Sequence, residues 1–74
     1  MSLLNDLIKL SNKNKYAFDD LIIHLMIDGV FDIPLKLHEM GYVNANLIVS
    51  LSTMLEKFDV TNDMLQYVDV KYDI

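Results

Sequence analysis

The chain has no cysteine and no arginine, only two glycines and one proline, and no apolar run approaching the ~20 residues needed to cross a bilayer. Each shortage narrows the field. Without cysteine there is neither a disulfide framework nor a thiolate metal site, and an intracellular protein is the natural reading. Without arginine the usual reader of guanine is missing, and phosphate neutralisation falls to six lysines. Gly29 and Gly41 stand alone, so no glycine-rich loop can cradle a phosphate. The apolar residues at the amino end are interrupted by Asn5, Asp6 and Lys9, which does not read as a signal peptide. A soluble, cytoplasmic protein that does not enter membranes is expected.

What is present is apolar and acidic. Hydrophobic residues make up 53% of 74 positions, too many for a disordered chain. A single domain of this length buries only ~60% of the surface its unfolded form exposes, so part of that apolar content is expected to face a partner. A homodimer is the simplest such arrangement. The net charge is −5, unevenly placed: residues 1–15 carry +2 and residues 16–74 carry −7. That balance favours a basic protein partner over nucleic acid.

The organising stretch runs from Asn44 to Phe58. Leu47, Ile48, Leu51, Met54, Leu55 and Phe58 recur at steps of three and four, the spacing of one helix face, while Asn46, Ser50, Thr53 and Lys57 fall opposite. Asn44 suits the N-cap, and Val43 can pack on Ile48 as a hydrophobic staple. Upstream, Ser2 can cap a short helix with a stripe of Leu3, Leu4, Leu7 and Ile8, followed by polar Ser11–Lys15 as a loop or exposed helix end. Tyr16 to Asp28 is apolar nearly all round, which predicts a central helix ended by Gly29; a buried strand over Leu21–Ile27 is the alternative.

Val30–Ile33 reads as a short, extended connector. Pro34 then suits the first turn of a helix over Leu35–Met40 that ends at Gly41. This helix and the one from Asn44 make a helix-turn-helix outline. Met40-Gly41-Tyr42 resembles the loop signature of ubiquitin-associated domains over three residues, and no residue role is carried over from it. Past Phe58, Thr61 can cap a short helix over Asn62–Tyr67, with Val68, Val70, Tyr72 and Ile74 alternating as a half-buried strand that Val30–Ile33 could pair. The rival is a hairpin of Lys57–Val60 with Leu65–Tyr72, which would make a winged helix.

No motif assembles a reaction centre. His24 lies four residues from both Asp20 and Asp28, but the two acids stand ~12 Å apart along the helix axis, awkward for shared metal ligation. His38-Glu39-Met40-Gly41-Tyr42 opens like a zinc-protease helix and has Tyr42 where the second histidine must be. Asp59, Thr61 and Asp63 alternate as in a calcium loop, yet Met64 replaces the required glycine and Val70 the bidentate glutamate. No serine sits in a recognisable nucleophile motif. The second helix of the helix-turn-helix outline offers Asn44, Asn46 and Ser50 to bases, but Lys57 is the only cation on that helix and Glu56, Asp59 and Asp63 would crowd the phosphates.

The sequence therefore predicts a mainly α, small helical bundle in one domain, with a helix-turn-helix-like pair (35–40, 44–58) and a strand over 68–74 as one C-terminal reading. Its expected role is non-catalytic, without metal or cofactor. It is read as an acidic protein-binding module, similar in type to the small inhibitors and regulators that phages and mobile elements encode. The residues expected to carry binding are Asp19, Asp20, Asp28, Asp32, Tyr67 and Tyr72. A dimeric helix-turn-helix or winged-helix regulator of transcription is the second reading.

Overall fold

The computed structural model describes residues 2–68, and in them five α-helices and one 3₁₀ turn follow one another without a strand. Helix α1 (Leu3–Lys13) starts on Ser2, whose hydroxyl accepts from the Asn5 amide at 3.2 Å. It buries Leu7 and half-buries Leu4 and Ile8, while Leu3 of the expected stripe is largely exposed. Of the two readings of the polar stretch, the exposed helix end holds, since Ser11–Lys13 is the last turn of α1. A single extended residue, Asn14, ends α1 by donating its amide to Leu10 O at 2.7 Å. The same residue starts α2 (Lys15–Ile27), its side-chain oxygen accepting from the Ala17 amide at 3.2 Å. The two helices, joined by this one residue, pack against each other.

Helix α2 touches α1, α3 and α4. Phe18, Ile22 and Met26, spaced four apart, are wholly buried, so the strand alternative over Leu21–Ile27 is set aside. Lys15 clasps the far turn: its ammonium donates to Tyr42 O at 3.1 Å, pairs with Asp19 at 3.1 Å and lies 4.6 Å from the Phe18 ring centre. Gly29, at φ +88°, closes the helix, with its amide bonded to Met26 O and that of Val30 to Leu25 O. That double bond is the Schellman arrangement, which glycine adopts without steric cost.

Helix α3 (Asp32–Glu39) begins three residues before the expected Leu35, so the second half of the supposed extended connector is helical. Pro34 falls in the first turn, where its missing amide hydrogen costs nothing. Gly41, at φ +90°, repeats the Schellman closure, its amide donating to His38 O and that of Tyr42 to Leu37 O. Asn44 caps α4 (Ala45–Met54) as expected, accepting from the Asn46 amide at 2.7 Å, and Val43 and Ile48 both lie in the core. Helices α3 and α4 thus form the expected helix–turn–helix order.

The fifteen-residue helix expected from Asn44 does not form in one piece. It stops at Met54, and a new helix, α5 (Phe58–Met64), follows a three-residue turn. That turn is a third Schellman closure, with Glu56 at φ +59° in the glycine position and amides of Glu56 and Lys57 bonded to Thr53 O and Ser52 O. The buried face of α4 is Ala45, Ile48 and Ser52, rotated from the expected stripe, so Met54 and Phe58 are exposed. Thr61 is therefore not a cap but a buried member of α5, and Ser52 Oγ meets its Oγ1 at 2.7 Å. That pair holds α5 against α4. The helix ends in a 3₁₀ turn (Leu65–Tyr67). Since Lys57–Val60 is turn and helix, the hairpin wing is not formed there. The strand expected over 68–74 lies outside the described residues apart from Val68.

Candidate functional site

Helix α3 packs on α1, α2 and α4, whereas α5 packs on α4 and on the 3₁₀ turn that follows it. The space between the two arms is an open groove of about 900 Å³. One wall is a single face of α3: Asp32, Leu35, Lys36 and Glu39 stand at i, i+3, i+4 and i+7, opposite the buried Pro34 and Leu37. The other wall is Asp63, Met64, Gln66 and Tyr67, again at helical spacing. The arms meet where the His38 and Tyr67 rings pack edge to face, 5.1 Å between centroids.

The groove is apolar at its base and acidic along its sides. Met64 is buried, Leu35 half-buried, and Tyr67 shows 57% of its surface to solvent. Three acids face one cation, and Lys36 is already 3.7 Å from Glu39 on its own helix. Neither Asp32 nor Asp63 has an ion-pair partner among the described residues. His38 Nδ1 is 2.9 Å from Val43 O, which fixes the ring; as the donor there, it leaves Nε2 as the acceptor nitrogen of the neutral ring. Gln66 is tied back to Asp63 O at 3.0 Å. The shell is largely preformed.

Of the residues singled out from sequence, only Asp32 and Tyr67 come together here. Asp19 is engaged by Lys15, and Asp20 by His24 at 3.5 Å, with both partners of that second pair well exposed. An exposed pair of this kind contributes little. Although adjacent in sequence, Asp19 and Asp20 point about 100° apart around α2, and Asp28 is the helix C-cap at its far end. Tyr72 lies outside the described residues. No group of three potential metal ligands assembles among the described residues. Leu35, Lys36, His38, Glu39, Asp63, Met64 and Gln66 were missed. The signal for the first wall was present, but it needs the helix to start at Asp32; with a start at Leu35 the face cannot be drawn.

The helix-turn-helix pair presents a different surface. The outer side of α4 carries Asn46, Ser50 and Thr53, exposed and uncharged, with no basic residue anywhere on the helix. No helix among the described residues is long and apolar enough to cross a membrane. No family model matches the chain, and neither a curated protein nor a solved structure shows significant similarity to it.

Proposed function

We propose that this protein is a non-catalytic binding module: an acidic inhibitor or regulator, of the kind carried by phages and mobile elements, that occupies a protein partner through the α3–α5 groove. The observation that carries the reading is the groove itself, where an exposed tyrosine, a buried methionine and two carboxylates without an ion-pair partner among the described residues share one concave surface. Aromatic and methionine side chains are what interfaces favour, and acids at the rim select a basic partner. Self-association is part of the reading, because Tyr16, Ile27, Met54, Phe58 and Leu65 are all more than half exposed on so small a body.

Affinity capture from the native host with the tagged full chain tests this. One protein is expected at fixed stoichiometry, lost when Leu35 and Tyr67 are both replaced by serine while helix content is kept. Recovery of nothing above background, or equal recovery by the variant, would end the proposal. Light scattering checks the dimer, which a strictly monomeric mass at all concentrations would remove.

A DNA-binding regulator is the second reading, favoured by the helix–turn–helix order and by Asn46 and Ser50 at the open face of α4. Against it stands the absence of cations on that helix. A salt-sensitive shift of duplex DNA at micromolar protein supports it; no shift at low salt removes it.

A further inference from the structure

Resting on that reading, we infer that the α3–α5 groove takes a basic, amphipathic segment of a partner protein. One apolar side chain sits against Leu35, Met64 and the Tyr67 ring, and a lysine or arginine on either side of it reaches Asp32 and Asp63.

The argument is one of complementarity. The volume of about 900 Å³ is at the upper end of what preformed ligand sites enclose, and the groove is open along its length, which suits a chain segment. Its apolar base needs an apolar group to displace water. Two carboxylates that have no ion-pair partner among the described residues stand on opposite walls, Asp32 on α3 and Asp63 on α5, so cations are wanted on both sides of that group. Lys36, the one cation lining the groove, lies 3.7 Å from Glu39 and within ion-pair distance of neither aspartate. A nucleic acid is disfavoured by the same charges.

A second copy of the chain is the nearest rival occupant, since residues 1–15 are its basic end. Its apolar residues Leu4, Leu7 and Ile8 are turned toward their own core, however, which leaves Lys9 and Lys13 without an anchor between them. Insertion of α1 into a neighbour's groove would also be head-to-tail, and such contacts make open chains unless the rotation closes. A different protein fits better.

The test is selection of random twelve-residue peptides on the immobilised full chain, followed by titration of the best peptide into ¹⁵N-labelled protein. Enriched sequences are expected to place Lys or Arg within two positions on both sides of a Leu, Ile, Phe or Met. Amide shifts should concentrate in 32–39 and 63–68. The paired change Asp32→Asn and Asp63→Asn should weaken binding about tenfold or more, as should raising salt from roughly 50 to 300 mM. Three results would overturn the inference: enrichment of acidic or proline-rich peptides or of none, shifts centred on α1–α2, or shifts at the groove on concentrating the chain alone, which would make a second copy the occupant. If capture from the host recovers a partner that crosslinks elsewhere, this inference fails and the binding reading stands. An empty capture ends the binding reading itself.

Discussion

The rings of His38 and Tyr67 meet edge to face at 5.1 Å, joining α3 to the 3₁₀ turn across the end of the groove. His38 is itself held by Val43 O at 2.9 Å, so Tyr67 packs on a fixed surface. Replacing Tyr67 by alanine should cost about 0.5–1.5 kcal/mol, the range for such a ring pair. Hydrogen exchange should show lost protection from Leu65 to Val68 with α1 and α2 unchanged. Uniform loss of protection would mean that the ring pair supports the whole bundle.

Ser52 and Thr61 form a buried hydroxyl pair at 2.7 Å, the shorter of two hydroxyl contacts between α4 and α5, the other being Thr53 to Thr61 at 3.4 Å. Each also has a backbone carbonyl within reach, Val49 O at 3.1 Å and Lys57 O at 3.2 Å, so either hydroxyl can donate to the other. A double-mutant cycle with Ser52→Ala and Thr61→Val should give a coupling of about 1 kcal/mol in denaturant unfolding. Additivity would show that the two hydroxyls are satisfied separately by their carbonyls.

Three helices end in the same hydrogen-bonded closure, but only two have glycine at the left-handed position. Glu56 there should be strained by roughly 1 kcal/mol. Glu56→Gly is expected to raise stability by about 0.5–1 kcal/mol, read as a higher thermal midpoint. Gly29→Ala and Gly41→Ala should each lower it by a similar amount through backbone strain alone, since an added Cβ meets nothing within 4 Å. A destabilised Glu56→Gly protein would contradict the assignment.

Asn14 serves two helices at once, ending α1 with its amide and starting α2 with its side chain. Asn14→Ala removes only the second role and should cost about 1 kcal/mol. Asn14→Asp, which keeps an acceptor, should stay near the parent value. Equal loss in both variants would place the cost elsewhere than in the cap.

The sequence by itself determined each element whose signals lie within a few residues of one another. Ser2 and Asn44 were legible as caps, Gly29 and Gly41 as stops, and Tyr16–Asp28 as a helix apolar nearly all round, because capping and helical periodicity are local effects. Of the groove residues, Asp32 and Tyr67 were legible singly.

Tertiary structure decided the rest. Nothing between Met54 and Phe58 announces a stop, since Glu56 is an ordinary helix former. The chain turns there because doing so brings α5 back onto α4 and pairs Ser52 with Thr61, a contact made only after both helices exist. The groove has the same origin. It is the space left where α3 and α5, some twenty-five residues apart, both lean on α4 without touching one another, and no periodicity within either segment encodes that gap.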